Sequence, residues 1–386
     1  MAGALDGVRI VDLTTVVMGP LATRMLGDHG ADVIRVVGPD TAVEDPADDT
    51  GVGGISLDVH RNKRCVMLDL KSEHGRAAMH ELLATADVFI TNLRRGAVER
   101  LGLDADTLRA RHPGLIHCVA NGFDSSGPLG DQAAYDDAIQ AASGLADLFG
   151  RIDGEPRYAP TIVSDKVCAL FIVQALMAAL LHRERTGDGQ TIQVPMFESM
   201  IAFMTTEHVR GAARVPPAGP IGYPRLLTPN RRPYRCKDGF VALLPYTDKH
   251  WHSFFDAIDR MDVLDDERFV DHVARVRHAD ELYGVLAELA PLHTVEEWLA
   301  ICDERSIPAS PVNALADLFD HPQVDASGLV VDHEHPTAGP YRAVRHPVTY
   351  DTMDTSIRRP APEHGEHTAE VFRSLGWTDE QIADLS

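Results

Sequence analysis

Three groups of residues have types and spacings suited to chemistry. The first is Asp165, which stands where an unbroken apolar stretch begins: from Val167 to Leu181 there is no charge, and Gln174 is the only polar side chain. A carboxylate at the start of a helix can cap it, as Ser164 or Thr161 nearby can. Either hydroxyl would do so without bringing a charge towards a core. Capped by one of them, the helix would hold the Asp165 carboxylate free at its positive end. The second group is basic. Arg61-Asn-Lys-Arg64 runs into the apolar stretch Cys65–Leu70 and Lys71, and Asn92-Leu-Arg94-Arg95 follows another such stretch, with Arg100 just beyond. In a chain of net charge −22, two clusters of cations at strand ends are suited to a phosphate-bearing ligand. The third is Asp136-Asp137, neighbours on one predicted helix that point different ways. They are read as helix-start or solvent residues, not as a pair sharing a proton.

Other chemistries lack their patterns. None of the nineteen His falls in HExxH or another metal-ligand spacing, so no metal is expected. There is no Gly-x-Ser-x-Gly elbow, no Walker A run and no GxGxxG after the first predicted strand. Cys65, Cys118, Cys168, Cys236 and Cys302 are widely spaced, odd in number and without a CxxC pair, which reads as reduced thiols of a cytoplasmic protein. The acidic balance speaks against nucleic acid as a partner. The opening Met1-Ala-Gly-Ala-Leu-Asp shows neither a basic nor an apolar leader region. The apolar run at 167–181 is shorter than the roughly 20 residues that cross a bilayer, so no membrane partner is expected.

Elements must hold these residues in place. Val8–Leu13 reads as a buried strand, Leu21 to Gly27 as a helix and Val33–Val37 as the next strand, a βαβ unit with parallel pairing. Further strands are expected at Cys65–Leu70, Asp87–Asn92 and Leu115–Phe123, with helices over 73–86 and 134–144. The acidic stretch 38–59 reads as a surface loop. The run after Asp165, apolar on every face, reads as a helix buried all round, closed by His182, Arg183 and Arg185 against its dipole and by Gly187 as cap. Beyond a Gly/Pro/Arg-rich connection, Pro233–Leu244 reads as a hairpin turning at Asp238-Gly239, and Thr294 with Glu297 as a capping box. The fold class is α/β. A large Rossmann-like domain takes 1–210, a linker 211–232, a smaller α+β domain 233–324, and a return segment 325–386 packs back on the large domain.

The stretch from Thr161 to Gln190, closing in Arg-Glu-Arg-Thr-Gly-Asp-Gly-Gln, resembles the signature of the family III CoA-transferases (CaiB/BaiF), which include formyl-CoA transferase and carnitine CoA-transferase. Leu13–Pro20, Gly30–Arg35, Asn62–Lys71 and Asn92–Gly96 also resemble family segments, and the likeness extends over nearly the whole chain. The resemblance implies that Asp165 is the nucleophile and that Val17, Met18, Leu68, Lys71, Asn92, Leu93, Arg94, Arg100 and Tyr135 contact coenzyme A. CoA thioester is then a substrate, with no tightly bound cofactor, and the partners are an acyl-CoA and a small carboxylic acid. The reaction implied is CoA transfer through an aspartyl-CoA thioester, in an interlocked homodimer. The related α-methylacyl-CoA racemases carry a His base where Tyr135 stands. Tyr is a poor base near neutral pH, with an ordinary pKa of about 10. An isomerase of that type and a non-catalytic acyl-CoA-binding protein are the two alternatives.

Overall fold

The computed structural model describes residues 3–41 and 52–385, so the loop expected at 38–59 lies partly outside the described residues. Within it, Gly54–Val59 is a short helix, not loop. Two compact units make up the chain. The first comprises the residues up to Ser143, Ala159–Phe203 and Pro322 onward; the second comprises Gly144–Tyr158 and Met204–His321. Nothing in the composition of 144–158 signals that it clusters with the second unit.

In chain order the first unit carries β1 (Arg9–Leu13), α1 (Met18–Asp28), β2 (Asp32–Val37), α2 (Gly54–Val59), β3 (Lys63–Met67), α3 (Glu73–Leu83), β4 (Val88–Thr91), α4 (Arg95–Leu101), α5 (Ala105–Arg111), β5 (Ile116–Asn121) and α6 (Asp136–Ala142). After α7 (Leu145–Asp153), which belongs to the second unit, come α8 (Val163–Thr186), β6 (Thr191–Pro195) and α9 (Met196–His208). The six strands form one parallel sheet in the order β3-β2-β1-β4-β5-β6. Strands such as Val33-Ile-Arg-Val-Val37 read as near-continuous apolar runs because both faces of a parallel sheet are covered. On one face Val11, Ile34, Val66 and Phe89 meet Met79 and Leu82 of α3. Helix α8 lies against α1, β5 and β6. The strand order reverses between β1 and β4, and in open α/β sheets the crevice at the carboxyl ends of such strands is where ligands bind.

Two expectations are corrected here. The cluster Arg61–Arg64 stands at the start of β3, the edge opposite that crevice, and its charges are spent on ion pairs. Lys63 is fully buried, its Nζ 3.0 Å from Asp12 and 2.9 Å from the Pro20 carbonyl. Arg61 binds Asp28 at 2.9 Å and Asp58 at 2.7 Å, and Arg64 binds Asp32 at 2.7 Å. Helix α8 is also not buried all round. Leu170, Met177 and Leu181 lie exposed along one side, Leu170 at 58%. At 24 residues α8 outlasts its apolar run, and by length and hydropathy alone it is long enough to cross a membrane. Its C-terminus ends as expected, with Gly187 left-handed at φ 83°.

The second unit holds the hairpin β7 (Tyr234–Arg235) and β8 (Phe240–Leu243), joined antiparallel by β9 (Ala309–Pro311), over a core around Phe254, Phe255 and Trp298. The capping box of Thr294 and Glu297 starts the helix Val295–Glu304. In the first unit the chain returns through the hairpin β10 (Val330–His335) and β11 (Gly339–Val344), and then Val371, Phe372 and Leu385 join the sheet's core.

Candidate active site

A cavity of about 550 Å³ opens at the carboxyl ends of β1, β4 and β5, all of its lining coming from the first unit. Its walls come from the turn after β1, the β4–α4 junction, β5, the loop before α6, the first turn of α8, and β6. Asn92 at the end of β4 pins the turn after β1, accepting from the Thr15 N–H at 3.1 Å and donating to its carbonyl at 2.9 Å. Val16, next in that turn, is held at φ 68° with its side chain exposed into the cavity. A β-branched residue in the left-handed region is strained, and such strain gathers at ligand clamps. At the end of β5 only glycine fits: a Cβ on Gly122 would lie 2.4 Å from that of Ala134, so Gly122 lets the loop leading to Tyr135 settle over the strand.

Asp165 sits in this cavity, 8% exposed, in the first turn of α8. It does not cap the helix. The N-cap is Ile162, whose apolar side chain cannot accept a hydrogen bond, and among the described residues the buried Ser164 hydroxyl has no partner either. Asp136 takes the capping role from outside: its Oδ1 accepts the Asp165 backbone N–H at 3.0 Å. Its Oδ2 accepts from Gln140 Nε2 at 2.5 Å, one turn along α6. Gln140 Oε1 in turn accepts the Ala159 N–H at 2.8 Å, fastening the strand of chain that leads into α8. Among the described residues nothing donates to the Asp165 carboxylate. Lys166, its neighbour, turns away to Thr161 Oγ1 at 2.7 Å.

The electrostatics follow from that arrangement. Burial, and then the Asp136 charge, push the Asp165 carboxyl up to about 7. A helix start by itself favours an ionised carboxylate and offers free N–H groups. Here desolvation outweighs the dipole, and the Asp165 N–H is already held by Asp136. Cys168, one turn on, is pushed up to about 12 by burial and then by the charge of Asp165, so its thiol is inert beside the carboxylate.

Of the other residues expected at the site, Met18, Asn92, Leu93, Arg94 and Tyr135 line the cavity with Asp165. Val17, Leu68, Lys71 and Arg100 do not. Leu68 is wholly buried in the sheet's core, and Lys71 is 82% exposed and paired to Asp40 at 3.0 Å. Arg100 is exposed on α4, its guanidinium lying back over Gly96, and Val17 is buried as the N-cap of α1. Arg95 of the second basic cluster lines the cavity too, as do Val16, His117, Asn121 and Gln193, which the sequence did not single out. Arg95 was legible from its place beside Arg94. The other four gave no signal, because their roles depend on which strand lies beside which. Among the described residues no group of three or more His, Cys, Asp or Glu gathers as a metal site.

Residues 5–368 match CoA-transferase family III. The succinate–glutarate CoA-transferase of Agrobacterium fabrum is 33% identical over 96% of this chain and 95% of its own. The succinyl-CoA:glutarate CoA-transferase of Mus musculus is 30% identical over 97% of this chain and 87% of its own. A solved CAIB/BAIF family protein from Brucella suis superposes with a TM-score of 0.81 at 30% identity, covering 97% of this chain and all of that one. The chain belongs to CoA-transferase family III and is an enzyme of that class.

Proposed function

We propose that the protein moves coenzyme A from an acyl-CoA to a small carboxylic acid, with Asp165 as the group that carries it. The observation behind this is a buried carboxylate at one wall of a ligand-sized cavity, with no donor to its oxygens among the described residues. Ionised Asp165 attacks the thioester carbonyl; the C–S bond breaks, giving an acyl-aspartyl anhydride and CoA thiolate. The thiolate attacks the aspartyl carbonyl, releases the first carboxylate and leaves an aspartyl-CoA thioester. An acceptor carboxylate reverses both steps, so one hard exchange becomes several easier ones. Burial disfavours the charged carboxylate, which makes the ionised form the more reactive nucleophile, and the raised pKa reflects the same desolvation.

Arg94 and Arg95, at the open end of β4, are suited to the phosphates of CoA, and Met18, Leu93 and Tyr135 to its uncharged arm. Val17 and Arg100 stand beside these residues. The named substrates of the relatives, succinyl-CoA and glutarate, support an acyl-CoA and a free acid as the reactants. A homodimer whose chains pass through one another is part of this reading, supported by the exposed apolar side of α8.

Incubation with an acyl-CoA followed by hydroxylamine tests the proposal. It should convert Asp165 to a hydroxamate visible in the peptide mass, and Asp165→Ala should lose both adduct and exchange. Solvent deuterium entering the α-position of a 2-methylacyl-CoA, with Asp165 unmodified, would sink the transferase reading in favour of an isomerase.

A further inference from the structure

Below its mouth the cavity runs down the face of β5 and β6. His117, Val119 and Asn121 alternate onto that face beside Thr191 and Gln193. His117 lies four residues before Asn121, about 13 Å along the strand, so the cavity is a deep groove. His117 is 3% exposed, its ring stacked 5.3 Å from Phe89, and neither ring nitrogen has a hydrogen-bond partner among the described residues. Burial lowers it to about 4, which leaves the ring neutral at physiological pH, with one donor and one acceptor. Asn121 Nδ2 is committed to the Phe123 carbonyl at 2.6 Å, and the buried Oδ1 is left unpartnered. Gln193 Oε1 accepts from Ser125 Oγ at 2.8 Å, and the buried Nε2 is left unpartnered. Buried polar atoms are rarely left so, and three residues sharing one groove point to a ligand.

The groove is uncharged at this floor and acidic around it. Glu99, Asp104 and Asp106 line the same cavity, while its cations, Arg94 and Arg95, belong to the β4 end. Arg109 lies behind His117, on a separate void of about 10 Å³. The acidic rim repels the phosphates of CoA. A carboxylate, acceptor only, would face Asn121 Oδ1 without a cation, and a methyl group would leave every floor atom unpaired.

We propose that this groove receives the far end of the acyl group and selects acids ending in an uncharged group that both donates and accepts hydrogen bonds, a hydroxyl or a primary amide. Asn121 and Gln193, diagonal neighbours on β5 and β6, are its specificity residues, with His117 at the far end of the groove, and the assignment rests on the acylation of Asp165 proposed above. A site built to pair a polar group discriminates strongly against analogues that lack it.

Hydroxylamine trapping at Asp165 tests this with three thioesters of matched length: glutaramoyl-CoA, glutaryl-CoA and hexanoyl-CoA. The second-order rate constant of trapping by glutaramoyl-CoA should exceed both others by about tenfold or more. Asn121→Leu and Gln193→Met each keep the side-chain volume without the amide. Each should bring the ratio within about threefold, and Gln193→Met carries the test should Asn121→Leu fail to fold. A wild type that favours glutaryl-CoA or hexanoyl-CoA overturns the proposal. So does a ratio that neither substitution moves, or an equal slowing of all three thioesters, which would place the pantetheine arm in the groove. Acylation by none of the three sinks the aspartyl reading together with this one, whereas acylation indifferent to the floor sinks this one alone.

Discussion

At Asp165 two demands conflict. The nucleophile must be ionised, yet burial and the Asp136 charge hold its carboxyl near 7. Acylation should therefore rise with pH through about 7 and fall roughly tenfold per unit well below it. Asp136→Asn keeps an acceptor for the Asp165 N–H but removes the charge. The acidic limb of the pH–rate profile should then move down by about one unit, a shift that a purely structural role for Asp136 would not produce. The same conflict has a sign for stability. The folded value, about 7, lies above the ordinary 3.8, so ionisation penalises the fold. That penalty is absent below the ordinary value, grows through the interval between the two, and is complete above the folded value. Asp165→Asn should lose activity yet raise stability by up to about 4 kcal/mol at pH 8, and by little at pH 4, read from urea midpoints. An equal gain at both pH values would refute the assigned shift.

At the scale of elements, the strand start and the strand end do different work. Lys63 opens β3 and pairs with Asp12 beneath the sheet; Arg94 follows β4 and lines the cavity. Lys63→Met should leave Asp12 buried without its partner and cost about 3–5 kcal/mol, seen as a lower urea midpoint at pH 7. Arg94→Ala should leave that midpoint within about 0.5 kcal/mol and raise the KM for acyl-CoA instead. A KM unchanged in both Arg94→Ala and Arg95→Ala would count against placing the phosphates there. The contrast shows what was legible in the chain. The βαβ pattern, the strands and the start of α8 were readable from local apolar runs, and they put Asp165 at the head of the long apolar helix. A cluster such as Arg61–Arg64 reads the same at either end of a strand, and only the register of β2 against β3 shows Arg64 turned onto Asp32. Asp136 was read as a helix-start or solvent residue for a related reason: its partner is the backbone of a helix 29 residues on. The groove floor needed β5 and β6 to be neighbours, although helices and loops separate them in the chain.

At the scale of the whole molecule, the net charge of −22 and the exposed side of α8 pull in opposite directions. Charge favours dispersal; Leu170, Met177 and Leu181 favour cover. Linked chains would resolve this, since they cannot part without opening a fold. Sizing at nanomolar protein should still show a dimer, and a monomer there would contradict the interlocked reading. A last consequence concerns the thiols. All five cysteines are buried and free, and burial pushes Cys118 and Cys168 up to about 12 and Cys302 to about 11. The proposed reaction sets loose a thiolate at every turnover, next to a protein that presents none of its own to be oxidised with it. The folded enzyme is thereby guarded against mixed disulfides with its own carrier, and alkylation by iodoacetamide becomes a clock that starts only when the fold opens.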